Sequence, residues 1–419
     1  MILDFYPLLV LIGIQLLIIF RRIGSFEIPT WIAFLIGAIF IIMRSPDAYH
    51  QGVDAVSKQA DVFIFLFGIF VIVTALDISG ALDEFAIYLI EKSKNDYSLL
   101  FFLIFGFGLL SSILLNDTIA ILAPVILIAF GKRMNKEMKP FIIVLAITVS
   151  FGSAMTPIGN PQNFLLTING SVGFLNFIAL AMIPTIIALG TTYVYMKIIW
   201  NENFNHLTYS TGIELTPVLG LENLKRRSAI LFFITLPIMA VAPFFNIPLA
   251  IPILIAGSIL LFVSPERNQI IEKLDWTVMI LFAGMFTVVD AVVRIQYFQD
   301  QISKFAQLEL TAKNLALFLI FIFILSQLIS NVPAAILASS LIGGTNFDTT
   351  VVWILTAITA TFAGSSSMMG AASNFIVVET SKKRNVNITW WDLTKIGFPL
   401  SIVCLLEIII YGIVLITFI

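Results

Sequence analysis

Long apolar runs alternate with short polar breaks along this chain, and the breaks recur at paired positions in its two halves. The runs LLSSILLNDTIAILAP (109–124) and FILSQLISNVPAAILAS (323–339) are each interrupted near the middle by an asparagine. A second interrupted run follows each of them, GSAMTPIGNPQNFLL (152–166) and GSSSMMGAASNFIVV (364–378). In these two runs Gly152-Ser153 matches Gly364-Ser365, and Asn163-Phe164 matches Asn374-Phe375. Polar breaks at corresponding places in two halves are the sequence sign of the substrate site of a secondary transporter.

The apolar runs predict an all-α membrane protein with about ten transmembrane helices and two re-entrant hairpins, because roughly 20 apolar residues suffice to cross a bilayer. The predicted hairpins are 98–131 and 313–344. The stretches 82–94 and 296–308 are shorter and more charged, so they are expected to lie on the membrane interface. The predicted crossings lie near residues 6–20, 28–43, 61–77, 140–164, 174–199, 228–244, 249–264, 276–293, 350–378 and 396–418.

Each half contains an odd number of predicted crossings, so the second half is inserted upside down relative to the first. The predicted organisation is therefore an inverted repeat joined by a cytoplasmic linker, in which the two hairpin tips meet near the midplane from opposite faces. Repeat one is 1–200, with scaffold helices 1–77, hairpin 98–131 and broken helix 140–164; the linker is 201–224; repeat two is 225–419, with scaffold helices 228–293, hairpin 313–344 and broken helix 350–378.

The distribution of positive charge orients this arrangement. When both hairpins re-enter, all but five of the 23 Lys and Arg residues fall on one side of the membrane. The positive-inside rule places that side in the cytoplasm and both termini outside, and we expect a multi-pass protein of the plasma or inner membrane. The five exceptions are Arg44, Lys58, Arg294, Lys304 and Lys313.

Composition excludes several classes of protein. With 59% hydrophobic and 11% charged residues, the chain is far from an ordinary soluble domain, of which about a quarter is charged. A single cysteine, Cys404, rules out a disulfide framework or a thiolate metal site, and His50 and His206 lie in polar loops. Without an HExxH motif or a Ser-His pair, we expect no enzyme and no cofactor. No basic stripe points to nucleic acid.

The hairpin turns supply the first candidate site residues, Asn116 and Asn331. Unwound backbone survives in a membrane only around a cavity or inside protein. Its freed carbonyl groups can bind Na⁺, while helix N-termini and amide side chains can hold an anion. The alternative is that each asparagine only caps a broken helix. Four breaks at paired positions favour the binding site.

The breaks at 152–166 and 364–378 supply further candidates. Pro157, Gly159 and Pro161 are incompatible with a continuous helix, and Pro161 also restricts the residue before it. The predicted result is a polar loop deep in the membrane that presents amides in one half and hydroxyls in the other. The candidates are Asn160, Gln162 and Asn163 in the first break, and Ser373 and Asn374 in the second.

Asp117 is the strongest single candidate for a residue that binds a coupling ion. A carboxylate near the midplane is costly unless it is paired, protonated or bound to a cation, which suits a residue that loads and unloads an ion. The alternative is an N-cap for the helix that begins at Thr118. Glu407, in the middle of the last crossing, either relays protons or hydrogen-bonds to a neighbouring helix. Asp77 and Asp290, at the ends of crossings, are expected to be solvated.

The paired hairpins and broken helices resemble the ion transporter superfamily of divalent-anion/sodium symporters, citrate carriers, arsenite permeases and some sodium/proton antiporters. The arsenite permease-like branch is the one most similar to this chain in the motif pair LNDTIAILAP and TPIGNPQNFLL. Arsenite permeases and antiporters alike resemble it in the motif SNVPAAIL. The resemblance covers essentially the whole chain. It implies a homodimer in which an elevator-like domain, carrying both hairpins and both broken helices, moves against a static scaffold.

In the dicarboxylate carriers of this superfamily each hairpin tip carries Ser-Asn-Thr. Here the matching triplets are Leu115-Asn116-Asp117 and Ser330-Asn331-Val332. Both asparagines carry over, but Asp and Val replace the threonines, and an ionised Asp117 would repel a carboxylate. The sequence therefore predicts a secondary transporter for a small inorganic solute or anion of the arsenite or oxyanion type, coupled to H⁺, Na⁺ or the membrane potential. A sodium/proton antiporter is the alternative, and a di- or tricarboxylate symporter comes third.

These considerations give two sets of predicted site residues. The substrate-binding set is Asn116, Asp117, Thr118, Asn160, Gln162, Asn163, Ser330, Asn331, Ser373 and Asn374. The ion-coupling set is Asn116, Asp117, Gly159, Asn331, Ala371 and Glu407, with Na⁺ the only metal ion considered. The sequence identifies neither the solute nor the direction of transport.

Overall fold

The computed structural model describes residues 5–20, 22–23, 26–200, 221–368 and 370–418. These residues are almost entirely helical; the strands among them are a short antiparallel pair, Arg22–Ile23 with Phe26–Glu27. The predicted all-α fold class is confirmed. Most of the predicted linker 201–224 lies outside the described residues, and its last residue, Leu224, lies in a helix.

The first half contains eleven α-helices among its described residues, and both predicted interruptions are present. The hairpin turns between α7 and α8, and the first broken helix is interrupted between α9 and α10. A π-helical turn, Phe102–Phe107, joins α6 to α7. The helices are α1 (Tyr6–Phe20), α2 (Thr30–Ile42), α3 (Pro46–Ser57), α4 (Ala60–Ile78), α5 (Ala81–Glu91), α6 (Asp96–Phe101), α7 (Gly108–Ser111), α8 (Asn116–Arg133), α9 (Lys139–Ser153), α10 (Pro161–Asn169) and α11 (Phe174–Ile199).

The second half repeats this order. Its hairpin turns between α17 and α18, and its broken helix is interrupted between α19 and α20. The helices are α12 (Glu222–Val241, continued by a 3₁₀ turn, Ala242–Phe245), α13 (Ala250–Val263), α14 (Arg267–Lys273), α15 (Trp276–Val293), α16 (Gln296–Ala306), α17 (Ala312–Ile329), α18 (Asn331–Ile342), α19 (Thr350–Gly364), α20 (Ala372–Lys382) and α21 (Trp390–Phe418).

Within the described residues, six helices are long and apolar enough to cross a membrane: α4, α11, α12 with its 3₁₀ turn, α15, α17 and α21. Five of them match predicted crossings. The sixth, α17, is the first arm of the second hairpin, and the chain reverses directly after it at Ser330. The remaining predicted crossings are built from shorter apolar helices, two of which are the broken helices.

The first four helices of each half pack against one another in a reciprocal way. Helix α4 packs on α13, and α15 packs on α2. Both contacts are close because a glycine faces the partner backbone: a Cβ atom on Gly68 would lie 2.7 Å from the carbonyl carbon of Ile253, and one on Gly284 would lie 2.9 Å from that of Phe34. The matched glycines make Gly68 equivalent to Gly284, as an inverted repeat requires.

Candidate functional site

The two hairpin tips share one backbone geometry. Leu115 and Ser330 both have positive φ angles, 61° and 71°, and the next residue begins a helix in each case. That residue is Asn116 in one hairpin and Asn331 in the other, and both side chains are buried. The backbone N–H of Asn116 donates to the carbonyl of Gly159 at 3.0 Å, so the first tip is fastened to the first break.

Each break is held closed by one asparagine. The Asn163 amide donates to the carbonyls of Ser153 and Thr156, both at 3.0 Å. The Asn374 amide donates to the carbonyls of Gly364 and Ser367, both at 2.8 Å. In each case the acceptors lie ten and seven positions before the asparagine. These bonds satisfy carbonyl groups that the interrupted helix leaves free.

This hydrogen-bond pattern corrects the register predicted for the repeat. Matching Gly152-Ser153 with Gly364-Ser365 is wrong by one position, since Ser153 and Gly364 accept the equivalent bonds. The match of Asn163-Phe164 with Asn374-Phe375 agrees with the bonds. The sequence match aligned the two identical Gly-Ser dipeptides although they lie at different distances from the asparagines. In the structure the equivalent residues are those at the same distance from Asn163 and Asn374.

A buried polar cluster joins the first break to helix α19 of the other half. The Thr361 hydroxyl donates to the Asn163 side-chain oxygen at 3.1 Å. The amides of Asn160 and Gln162 donate to the Thr361 hydroxyl at 3.2 and 3.4 Å. Asn160 also caps α10 by accepting from the Asn163 backbone N–H at 2.9 Å. The cluster therefore fixes the break of one half against the intact helix α19 of the other.

Each break is also tied to the hairpin of its own half. The Thr156 hydroxyl donates to the carbonyl of Ser112. In the second half the Ser367 hydroxyl donates to the side-chain oxygen of Gln327 at 3.2 Å, and the Gln327 amide donates to the carbonyl of Ala363. Hairpins and broken helices thus form one hydrogen-bonded body.

A cavity of about 550 Å³ separates this body from α1, α2 and α15. Asn116 and Asp117 line it from the first tip, and Ser330 and Asn331 line it from the second. Gln162, at the start of α10, lines it as well. Phe375, in the second break, lines it too, so the cavity brings both tips and both breaks to a common space.

The charged groups that line the cavity are carboxylates: Asp117, Asp275 and Glu379. No Lys, Arg or His is found among the described residues that line it. Asp275 caps α15, and its carboxylate accepts from the backbone N–H and the hydroxyl of Thr277 at 3.2 and 2.5 Å. The lining suits a cation or an uncharged polyhydroxy solute better than a multiply charged anion, because like charges repel in a low dielectric.

The structure divides the predicted substrate-binding residues into two groups. Five line the cavity: Asn116, Asp117, Gln162, Ser330 and Asn331. Four are fully buried behind it and hold the breaks: Asn160, Asn163, Ser373 and Asn374. The hydroxyl of Ser373 accepts a long bond of 3.5 Å from the Asn116 amide, so it supports the first tip from behind. Thr118, next to Asp117, is not among the described residues that line the cavity.

Asp117 does not act as an N-cap. Helix α8 begins one residue earlier, at Asn116, and has no side-chain cap hydrogen bond. No described residue forms a hydrogen bond or ion pair with the Asp117 carboxylate, and the side chain is half-buried. Its position in the first turn places the carboxylate near the positive end of the helix dipole, which stabilises a negative charge there.

Three of the predicted ion-coupling residues, Gly159, Ala371 and Glu407, are not among the residues that line the cavity. The carbonyl of Gly159 accepts the backbone bond from Asn116, and Ala371 is buried just before α20. Glu407 lies on α21, and its carboxyl group accepts a hydrogen bond of 2.6 Å from the hydroxyl of Thr191 on α11. That contact is the one expected of the hydrogen-bonding alternative for Glu407.

Six polar residues that line the cavity were not predicted from the sequence: Gln15, Thr30, Asp275, Thr277, Gln327 and Glu379. Asp275 and Glu379 lie near the ends of apolar runs, where a carboxylate is ordinarily solvated. Gln327 stands three residues before Ser330 in the second tip. The residue three positions before Leu115 in the first tip is Ser112, whose carbonyl accepts a bond from the first break. The equivalence of Gln327 and Ser112 could therefore be found from the sequence.

The family of the chain follows from comparison with known sequences. The family model described as CitMHS, citrate transporter, matches residues 6–359. The chain belongs to this citrate transporter family. It is 22% identical to the 46 kDa membrane protein of Mycobacterium leprae, over 92% of this chain and 94% of that protein. It is also 22% identical to the silicon efflux transporter LSI3 of Oryza sativa subsp. japonica, over 93% of both chains.

The fold of this CitMHS member is found in a solved structure as well. The YdaH transporter of Alcanivorax borkumensis matches with a TM-score of 0.62 at 14% identity, over 100% of this chain and 98% of that one, and its structure is described as having an unusual topology. The chain is therefore a multi-pass membrane transporter of anions or small solutes rather than an enzyme. The predicted resemblance to the ion transporter superfamily is confirmed.

Proposed function

We propose that the protein is a secondary active transporter for a small inorganic hydroxy acid that is uncharged near neutral pH, such as arsenous or silicic acid, and that H⁺ or Na⁺ at Asp117 couples its movement. The observation that carries this proposal is the cavity lining. Amide and hydroxyl groups of Asn116, Gln162, Ser330 and Asn331 converge on a space whose described charged groups are carboxylates.

This lining matches the chemistry of a neutral hydroxy acid. Such a solute presents several O–H donors and oxygen acceptors at short range, and Asn and Gln side chains offer both a donor and an acceptor. A citrate-like polyanion would instead meet Asp117 and Asp275 with no compensating cation among the described lining residues. A relative named as a silicon efflux transporter and aligned along nearly the whole chain supports a solute of this kind.

The proposed mechanism is alternating access by an elevator-like movement. The moving body comprises both hairpins and the broken helices, which are hydrogen-bonded to one another. The scaffold comprises α1 to α4 and α12 to α15, which pack in reciprocal pairs. The solute would bind between the tips and the scaffold, and the moving body would carry it across.

Sodium/proton antiport is the second candidate, and one observation favours it. The side-chain oxygen of Asn116 is buried and has no hydrogen-bond partner among the described residues, directly beside Asp117 in the chain. An amide oxygen next to a carboxylate is a donor set that Na⁺ accepts, since hard cations prefer oxygen ligands. In this alternative Asp117 would bind H⁺ and Na⁺ in turn.

Purified protein in liposomes that contain a pH-sensitive dye tests both candidates. Under an imposed pH gradient, the vesicles receive Na⁺ salts, arsenite, silicate or citrate in turn, with the counterion held constant. We expect arsenite or silicate to move protons and citrate to have no effect. Proton movement driven by Na⁺ alone would favour the antiporter and contradict the hydroxy-acid proposal.

Two carboxylate variants sharpen this test. Asp117→Asn preserves the size of the side chain but removes its charge, so we expect it to abolish coupled proton movement. Asp77→Asn is the matched control, because Asp77 lies near the end of α4 and is not among the described lining residues. Coupling that survives in Asp117→Asn would contradict the role given to Asp117. Loss in both variants would point to a defect in folding.

A further inference from the structure

The inverted repeat permits a comparison between the two faces of the site. Gly68 is equivalent to Gly284, because each faces the backbone of the partner scaffold helix. Counting three residues back along α4 and α15 makes Phe65 equivalent to Leu281. The clamping asparagines make Phe164 on α10 equivalent to Phe375 on α20. Each half therefore places one apolar scaffold residue opposite one phenylalanine of the moving body.

The two equivalent pairs are in opposite states. Phe65 and Phe164 are stacked, with ring centroids 3.5 Å apart and ring planes inclined by 12°, and both side chains are fully buried. Leu281 and Phe375 instead both line the 550 Å³ cavity and are half-buried. Equivalent sequence positions are thus in direct ring contact in one half and border a cavity in the other.

We propose that the Phe65–Phe164 stack is the closed gate on one face of the transport path, and that Leu281 and Phe375 form the second gate, which closes when the stack separates. This inference rests on the proposed alternating-access function. The two pairs occupy equivalent places in an inverted repeat, so exchanging the conformations of the halves converts one state into the other. Closure of both gates at once would seal the site, and opening of both would make a leak.

The stack suits a gate for a physical reason. Two aromatic rings in parallel contact leave no space for water between them, and separating them would expose two large apolar side chains. The contact joins α4 of the scaffold to α10 of the moving body, so any displacement of one against the other must break it. Leucine at the equivalent position 281 provides a weaker contact, which predicts gates of unequal strength.

Cysteine cross-linking tests the first gate. The chain has a single cysteine, so Cys404→Ser gives a cysteine-free background. In that background Phe65→Cys with Phe164→Cys is treated with a short bifunctional thiol reagent in liposomes. We expect cross-linking to stop arsenite-, silicate- or Na⁺-dependent proton movement, and a reductant that cleaves the linker to restore it. Each single cysteine variant should remain active after the same treatment.

The second gate has its own readout, which requires no solute. Leu281→Cys, alone, is labelled with a membrane-impermeant thiol reagent from one side of the vesicle. In a variant that combines Leu281→Cys with Phe65→Cys and Phe164→Cys, cross-linking of positions 65 and 164 with the bifunctional reagent before labelling should keep position 281 accessible to the impermeant reagent. Phe164→Leu weakens the stack and should lower the rate of labelling, and this variant serves if the double cysteine protein does not fold. A Leu281→Cys, Phe375→Cys pair should cross-link only when the first gate is free.

The outcomes separate this inference from the proposed function. Phe63→Cys with Phe286→Cys is the matched control, because these rings, 5.8 Å apart, join α4 to α15 within the scaffold, and cross-linking there should not stop transport. Continued transport with Phe65 and Phe164 cross-linked would overturn the gate but leave the carrier. Labelling of Leu281→Cys that is insensitive to the first gate would overturn the coupling between the gates, whichever solute moves.

Discussion

Leu115 and Ser330 adopt positive φ angles of 61° and 71°, each with an extended ψ, at the residue before the asparagine that restarts its hairpin. A side chain is strained in this region of the backbone map, at a cost of about 1–3 kcal/mol for one residue. Both halves keep this geometry although neither has a glycine there. The reversal places Asn116 and Asn331 at the cavity.

Relief of this strain should be measurable at Ser330. We expect Ser330→Gly to raise the melting temperature in detergent, since glycine adopts positive φ at no steric cost. Ser330→Val should lower it, because a β-branched side chain is poorly tolerated there. Ser303→Gly is the matched control in the middle of the exposed helix α16, where glycine should destabilise. Equal effects at positions 330 and 303 would contradict a strained tip.

The clamp formed by Asn374 should be essential to the second break. Asn374→Ala removes the amide that donates to the carbonyls of Gly364 and Ser367. The Ser367 carbonyl keeps a bond from the Gly370 backbone N–H at 3.3 Å, but the Gly364 carbonyl loses its donor, and an unsatisfied buried group costs about 1–3 kcal/mol. We expect a clear fall in melting temperature and loss of transport. Asn346→Ala removes one exposed bond to the Leu308 carbonyl and should have little effect. A stable Asn374→Ala protein would show that the break does not need its clamp.

The contact between α9 and the first hairpin should not tolerate a methyl group. A Cβ atom on Gly152 would lie 1.9 Å from the carbonyl oxygen of Gly108, so α9 and the hairpin would have to separate. We expect Gly152→Ala to cost about 1–3 kcal/mol or more. Gly190→Ala, in a helix where a Cβ would meet no atom within 4 Å, should be neutral or stabilising. Thermal unfolding of both proteins in one detergent provides the comparison.

Acid should weaken the loop between α18 and α19. The Gly344 backbone N–H and the Trp353 indole N–H donate to Asp348 at 2.9 and 2.7 Å, and these bonds lower the pKa of Asp348 below 3.8. A lowered folded-state pKa contributes stability above the unfolded value of 3.8, and this stability is lost as the pH falls through the folded value.

The check is thermal unfolding as a function of pH, with wild type and Asp348→Asn side by side. The difference in melting temperature between the two proteins should be largest near neutral pH and should shrink as the pH is lowered below 3.8. A difference that is constant across the range would show that the Asp348 charge does not contribute.

Glu407→Gln should distinguish the two roles open to that residue. Glutamine keeps an acceptor for the Thr191 hydroxyl, 2.6 Å from the native carboxyl group, but it does not release a proton. The position of Glu407 away from the described cavity lining leads us to expect unchanged coupled proton movement in liposomes. Loss of coupling with a normal melting temperature would instead establish a proton relay.

The sequence was sufficient to predict the repeat, because hairpins and breaks require residues that ordinary membrane helices avoid. Asn163 and Asn374 were found from the breaks alone. Their clamping role was not, since both were expected to face the ligand. A signal did exist for Asn160: it precedes a proline at the first helical position, which is the usual place of an N-cap.

Two carboxylates that line the cavity, one on each side of it, could not be predicted in the same way. Asp275 and Glu379 reach the cavity only because α15 and α20 pack against the hairpin tips, and no local pattern records that packing. A carboxylate at a helix end has the same sequence signature whether it faces water or a cavity. Asp117 was identified because it lies inside an apolar run, where solvation is not the default.

Asn116 and Asn331 are equivalent, so Asp117 of the first hairpin corresponds to Val332 of the second. The repeat has thus kept its backbone symmetry while giving an ionisable side chain to one tip only. One elementary charge crossing a potential of 100 mV exchanges about 2.3 kcal/mol with the membrane field. Whether Asp117 is protonated during the return step therefore decides if the resting voltage of the cell drives the unloaded transporter or leaves it unaffected.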